Sequence, residues 1–211
     1  MTTSTGVSLH ASNLGKRFNR EWIFKNFSFT FSAGSTYAIT GANGSGKSTL
    51  LQILWGQMPP STGELVYKYE NTVLEVEQLF RHLTVATPYM DLIEEFTLTE
   101  QLHFHFKLRR RRNNMTLEEM MDRMYLTPAR HKFIGNFSSG MKQRVKLAMA
   151  FYTEADLIFL DEPGTNLDKQ AFDWYKNELA QLPKSSTVFI ASNDPNEYPD
   201  DAITININEL K

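Results

Sequence analysis

Between an apolar, alternating run, Tyr37-Ala38-Ile39-Thr40, and a helical run, Leu50-Leu51-Gln52-Ile53-Leu54, stand Gly41-Ala42-Asn43-Gly44-Ser45-Gly46-Lys47-Ser48-Thr49. A strand that must reach a helix through so glycine-rich a turn restricts the chain to α/β arrangements. The glycines let the backbone curl until successive N–H groups point inward, and the helix adds the partial positive charge of its N-terminus. Such a loop suits a phosphate. Lys47 would carry a point charge to the β- and γ-phosphates of a nucleotide, and the Ser48 hydroxyl would be a ligand for Mg²⁺. The plain alternative is a chance glycine-rich turn before a helix. The complete G-x-x-x-x-G-K-[ST] spacing in its proper context weighs against that alternative.

With 211 residues the chain can bury a core as one domain, or as one domain with a sizeable inserted lobe. Its formal net charge of −2 argues against nucleic-acid backbone as the main partner, without excluding a local basic patch. It has no cysteine, so disulfides, thiolate metal sites and cysteine nucleophiles are out, and an intracellular location is expected. The opening Met1-Thr2-Thr3-Ser4-Thr5 is polar, and no segment approaches the ~20 apolar residues of a membrane span. We therefore expect a soluble chain that would act at a membrane only through a partner.

Along the chain, Val7 to Ser12 and Phe27 to Phe31 alternate as half-exposed strands around a turn at Asn19-Arg20. The breaker Pro59-Pro60-Ser61-Thr62-Gly63 precedes strand-like Glu64 to Tyr69 and Thr72 to Val76. Thr99 to Arg110, Leu117 to Leu126 and Gly140 to Tyr152 show helical spacing, with a capping box at Thr116 and Glu119. Leu157 to Leu160, a helix from about Asp168 to Gln181, and Thr187 to Ala191 return the chain to strand–helix–strand, and Ala202 to Ile207 reads as a final edge strand. The fold class expected is α/β, a phosphate-loop NTPase core whose mixed sheet has an antiparallel β flank, with an inserted α-helical lobe.

Two further elements carry chemistry. Leu157-Ile158-Phe159-Leu160-Asp161-Glu162 is an apolar strand ending in two carboxylates, and the carboxyl end of a buried parallel strand faces the crevice where ligands bind. Asp161 would orient Mg²⁺, and Glu162 would polarise a water in line with the γ-phosphate. Paired acids after a strand also cap helices, which is the competing reading. Asn136-Phe137-Ser138-Ser139-Gly140-Met141-Lys142-Gln143-Arg144 is a Ser-Ser-Gly turn opening a helix, an ordinary N-cap when taken alone.

In this order the three elements resemble the nucleotide-binding domain of the ABC ATPases, over nearly the whole chain. The family's phosphate loop matches Gly41 to Thr49, its Leu-Ser-Gly-Gly-Gln signature is similar to Phe137 to Met141, its second nucleotide motif to Leu157 to Glu162, and its D-loop to Gly164-Thr165-Asn166-Leu167-Asp168. The resemblance implies one domain over 1–211, with a RecA-like core at about 1–86 and 156–211 and a helical lobe at about 87–155. It implies ATP and Mg²⁺ as ligands. It also implies a head-to-tail dimer, homomeric or heteromeric, in which Ser138, Ser139 and the Gly140 N–H of one chain meet the γ-phosphate held by the phosphate loop of another. Phe18, after Lys16-Arg17, is similar to the aromatic residue that stacks on adenine, with Trp22 as competitor and simple burial as the plain reading.

Two positions depart from the pattern. Tyr89 stands near the place of a glutamine that touches Mg²⁺ and the attacking water, with Gln101 too far along to replace it. Asn193 stands where the family has a histidine near the γ-phosphate. Asparagine can donate to a phosphate oxygen but cannot titrate, so slow hydrolysis is expected, carried by Lys47, Glu162 and Asn193.

Of the remaining charged features, Arg109-Arg110-Arg111-Arg112 reads as a solvated helix C-terminus, with lipid headgroups, an acidic partner or nucleic acid as alternatives. His103 and His105 lie two apart, on different helix faces, and do not form an i, i+4 metal pair. Glu94-Glu95 reads as a solvated turn or part of a surface that grips a membrane partner. The resemblance points first to the ATP-hydrolysing subunit of a transporter, cytoplasmic and peripheral at the inner face of the membrane, bound to a separate integral membrane subunit. By size and loop spacing it is similar to small export-type members such as the one serving cytochrome c maturation. A soluble ABC ATPase of the iron–sulfur assembly type and a DNA-associated one are the alternatives.

Overall fold

The alternation at the start of the chain continues further than the expected Val7 to Ser12. In the computed structural model, which describes residues 6–70 and 72–210, strand β1 runs Val7–Phe18 and turns at Asn19 and Arg20 into β2, Glu21–Phe31. The polar opening Met1 to Thr5 lies outside the described residues. Register shifts between Ala11 and Leu14, beside a positive φ of 50° at Asn13, break the period of two in the middle of β1. β3 (Thr36–Thr40) leads to α1 (Lys47–Leu54), and β4 (Thr62–Tyr69) to β5 (Thr72–Leu74). The strand expected to reach Val76 stops at Leu74, because Val76 opens a short helix, α2 (Val76–Leu79), behind an extended Glu75. The first sheet is antiparallel in the order β2-β1-β4-β5.

The second sheet adds β6 (Leu83–Ala86), β7 (Leu157–Asp161), β8 (Thr187–Ala191) and β9 (Ile203–Asn206), in the order β6-β7-β8-β3-β9. β3 pairs in parallel with both β8 and β9, and β7 in parallel with β8. Every residue of β7 and β8 is buried, as strands covered on both faces require. A parallel sheet flanked by an antiparallel one, with helices, is the α/β class expected from the sequence. β9 lies at the sheet edge, where its alternation put it.

The chain divides into two compact units. The first comprises Met1–Thr84, Ala155–Glu162 and Pro183–Lys211. Its core is aromatic: Phe159 stacks on Phe189 with ring centroids 4.6 Å apart, Phe31 meets Phe189 at 5.2 Å, and Trp55 meets Phe159 edge-on at 5.7 Å. Helix α1 buries Leu50, Leu51, Ile53 and Leu54, on more than one side of the helix, because it packs on β3, β7 and β8 while Tyr67 of β4 donates to the Ile53 carbonyl.

The second unit comprises Val85–Glu154 and Pro163–Leu182 and holds α3 (Leu98–Leu108), α4 (Leu117–Arg123), α5 (Ser139–Tyr152) and α6 (Lys169–Ala180). The capping box at Thr116 and Glu119 is formed, and Thr97 with Glu100 makes a second one at the start of α3. Asp168 caps α6 by accepting from Ala171 N. The four-arginine run does not simply face water. α3 ends at Leu108, a positive φ at Asn113 turns the chain, and Arg112 goes inside, with Nη2 at 3.6 Å from Oε2 of the buried Glu178. No helix among the described residues is long and apolar enough to cross a membrane.

Candidate functional site

The loop between β3 and α1 is a shallow cap over buried polar groups. Ala42, Asn43 and Gly44 are exposed, whereas Ser45 and Lys47 beneath them are 4% exposed each. Ser45 N closes the turn on the Ala42 carbonyl at 3.0 Å, and Lys47 Nζ donates to the Gly41 carbonyl at 2.9 Å and to Ala42 at 3.4 Å. Gly46 is the left-handed cap of α1, at φ 108°, and a Cβ there would collide with Ile23 of β2. Only glycine fits, and this contact sets the β1–β2 hairpin beside the loop. Gly41, Ser48 and Thr49 are partly buried, the latter two on the first turn of α1. The loop therefore gathers a helix N-terminus and a buried ammonium in one tight turn, a set of donors that suits an anion.

Asp161 ends β7 at the same end of the sheet. It is 2% exposed, and its Oδ1 has no hydrogen-bond partner among the described residues. Burial raises its carboxyl above the ordinary range; a hydrogen bond with Ser48 opposes the rise, Glu162 adds to it, and Lys47 lowers it again. Ser45 Oγ is also buried without a partner among the described residues. A buried, unsatisfied carboxylate oxygen beside a serine hydroxyl is a hard-oxygen set that fits Mg²⁺, and buried donors facing the loop fit a phosphate. The acidic pair is not a helix cap, since Asp168 serves α6.

Glu162 is half-buried at φ 45°, a conformation strained for a non-glycine residue, and its N–H is held by the Ala191 carbonyl at 2.8 Å. That bond ties the ends of β7 and β8 together. Beyond β8, Asp194 N donates to Ser192 Oγ at 3.0 Å, shaping a turn that exposes Asn193. Asn193 Nδ2 donates to Asn43 Oδ1 at 2.6 Å. The structure thus brings together Gly41 to Thr49, Asp161, Glu162 and Asn193. Phe18 ends β1 and is 46% exposed, with Lys16 Nζ 5.3 Å from its ring centre; Trp22 is 37% exposed with Arg17 at 5.7 Å. Each ring is partly exposed and has a cation over it.

In the second unit, Ser138 caps α5, its Oγ accepting from Met141 N, while Ser138 and Ser139 are exposed and Phe137 is buried. Gly140 lies against the Asn166 carbonyl, where a Cβ would come within 2.6 Å. Gln143, one turn on, is buried and donates Nε2 to the Pro163 carbonyl at 3.0 Å. Sequence reasoning missed Gln143. Its i+3 spacing from Gly140 was the available signal. Tyr89 is 81% exposed in a turn whose Thr87 and Pro88 carbonyls accept from Lys146 Nζ. Gln101 is buried, its Oε1 accepting from Ile93 N, so it is engaged in holding that segment.

Known proteins are similar to this chain over most of its length. A family model described as ABC transporter matches residues 24–165. The uncharacterized ABC transporter ATP-binding protein YybJ of Bacillus subtilis is 28% identical over 181 residues, which cover 85% of this chain and 83% of that protein. A Nod factor export ATP-binding protein I of Burkholderia lata is 30% identical over 85% of this chain, and the match spans 60% of its own length. Among solved structures, a protein from Pyrococcus furiosus described as an ABC transporter ATP-binding protein superposes with a TM-score of 0.79 at 20% identity, covering 96% of this chain and 98% of that one. At that identity the likeness concerns the fold.

Proposed function

The chain belongs to the ABC transporter family, among its ATP-binding subunits, and on that premise we propose that it binds and hydrolyses ATP to drive a separate membrane subunit. Members of the family are ATPases in general. The observation that carries the reading for this chain is the buried Asp161 oxygen left without a partner beside Ser48, behind a loop whose lysine is already inside.

In this reading Gly41 to Thr49 bind the phosphates through backbone N–H groups, and Lys47 neutralises charge on the β- and γ-phosphates. Phe18 stacks on the base. Ser48 and Asp161 hold Mg²⁺, with Tyr89 at the position of a further ligand. A bound Mg²⁺ would offset the repulsion between the phosphates and the Asp161 carboxylate. Glu162 accepts a hydrogen bond from the attacking water and orients it, from a backbone held by the bond to Ala191. Asn193 donates to a γ-phosphate oxygen but brings no charge, so turnover is slow. Ser138, Ser139 and the Gly140 N–H complete the site of a second copy, or of a related subunit, in a dimer closed by two ATP. In this reading the functional division is a core at about 1–86 and 156–211 and a helical lobe at about 87–155, although α6 packs on α5 within the second compact unit. The chain sits at the cytoplasmic face of the membrane, and nucleic acid is not its partner.

Titration of nucleotide binding tests the loop: Lys47→Ala abolishes ATP binding, and retained binding overturns the assignment. Glu162→Gln stops hydrolysis and doubles the sedimenting mass when ATP is added; parental turnover in that variant removes Glu162 from the mechanism. Recovery of the chain with membranes, and its release by stripping peripheral proteins, tests the membrane partner. A chain found wholly in soluble complexes favours the protein-remodelling alternative.

A further inference from the structure

The second unit contains a cleft of about 530 Å³ where α3 gives way to the arginine run, lined by Lys107, Leu108, Arg109, Arg110, Arg111 and Glu154 among others. Four cations face one carboxylate there, in a chain whose overall charge is −2. The basic residues are displayed on a fixed backbone. Glu154 N donates to the Arg110 carbonyl at 3.0 Å, Arg111 pairs with Thr153 as an isolated antiparallel bridge, and Arg111 Nη1 holds the Met115 carbonyl at 3.2 Å. Arg109 is half-buried and already engaged, so the exposed Lys107 and Arg110 are the cations that an anion would reach first. Arg112 has left the run for Glu178 and takes no part.

The apolar residues beside this cleft choose among anions. Leu108 lines it and is 70% exposed, and Phe104, one turn earlier on the same helix face, is 45% exposed. Exposed Leu and Phe bordering Lys and Arg form the pattern that settles into a headgroup layer, where the apolar groups enter the acyl boundary and the cations meet phosphates. A free nucleotide or an inorganic phosphate would leave Leu108 and Phe104 in water. We propose that this cleft is a binding site for the phosphate of an anionic phospholipid, by which the helical unit contacts the membrane surface directly. The site needs no nucleotide and stands apart from the ATPase reading.

Co-sedimentation of the full chain with vesicles tests it, comparing phosphatidylcholine alone with phosphatidylcholine containing phosphatidylglycerol. The chain should pellet with the anionic vesicles and be released by salt. A basic residue near such a surface strengthens binding roughly fivefold, so Lys107→Ser with Arg110→Ser, both exposed, should weaken it roughly 25-fold while leaving the melting temperature and ATP turnover in solution unchanged. Leu108→Ser should weaken binding without altering its salt dependence. Lys47→Ala should bind vesicles like the parent, which separates failure of this proposal from failure of the ATPase assignment. Equal binding to neutral vesicles, or an unaffected double variant, overturns the proposal. So does binding of free tripolyphosphate that equals vesicle binding and ignores Leu108→Ser, since the ligand is then a soluble anion.

Discussion

Asn193 Nδ2 lies 2.6 Å from Asn43 Oδ1, joining the turn after β8 to the middle of the phosphate-binding loop across 150 residues of sequence. Both side chains are exposed, so the bond competes with water and contributes about 0.5–1.5 kcal/mol. It positions the Asn193 amide over the loop with one N–H still to donate. We predict that Asn43→Ala and Asn193→Ala each slow ATP turnover several-fold, and that the double variant is no slower than the worse single one. A steady-state double-mutant cycle decides this, and strictly additive effects would mean that the pair does not act as a unit. Asn193→His should leave turnover unchanged or raise it.

Asp161 sets function against stability. Its carboxyl is raised by burial, so the unfolded chain gives up this proton at lower pH than the folded one. As pH rises from the unfolded value through the folded one, stability is lost, so burying this carboxyl costs stability towards neutral pH. Asp161→Asn removes that cost. It should raise the melting temperature of the ligand-free protein while lowering Mg²⁺-dependent ATP turnover by roughly 100-fold or more. Calorimetry with and without Mg·ATP checks both parts, and a lower melting temperature in the ligand-free variant would contradict the account.

Local relationships were legible in the sequence, and distant ones were not. The loop declared itself through spacing between Gly41 and Thr49, β7 through an unbroken apolar run ending in Asp161, and the start of α4 through Thr116 and Glu119, because each signal fits within a few residues. The Asn43–Asn193 bond and the Gln143–Pro163 bond join segments that only the fold brings together. The alternation that marks β1 ends at Ser12 because the register becomes irregular around Asn13, although the strand continues to Phe18. The partner of Arg112, Glu178, lies on another helix, so a run of four arginines conceals which member turns inward.

His105 ties stability to mildly acidic pH. Thr153 Oγ1 donates to the Met149 carbonyl at 2.6 Å, so it accepts from His105 Nε2, 2.9 Å away, which fixes the neutral tautomer. Burial, with Arg109 adding to it, lowers the imidazole from 6.5 to about 4. The unfolded chain therefore binds the extra proton first. Stability should be complete above pH ~6.5 and decline as pH falls towards ~4, by up to about 3 kcal/mol. Urea unfolding between pH ~7 and ~5 should show this decline, and His105→Gln should flatten it. An unchanged slope in that variant would assign the acid sensitivity to other groups.

Glu178 is a buried carboxylate of the second unit that faces two guanidiniums. It is 3% exposed, takes Arg123 Nη1 at 3.2 Å and Arg112 Nη2 at 3.6 Å, and sits in α6, whose cap Asp168 ends the Gly164 to Asp168 segment. Two guanidiniums depend on one carboxylate. Glu178→Gln would leave Arg112, already desolvated, with no opposing charge, and should destabilise the protein by about 3–5 kcal/mol. Replacing the buried pair together, Arg112→Met with Glu178→Met, removes both desolvation penalties and should recover most of that loss, although Arg123 then turns to solvent from its 42% exposed side chain. Chemical denaturation of the parent and both variants tests the claim. A single variant that loses less than about 1 kcal/mol would show that the pair is already solvated.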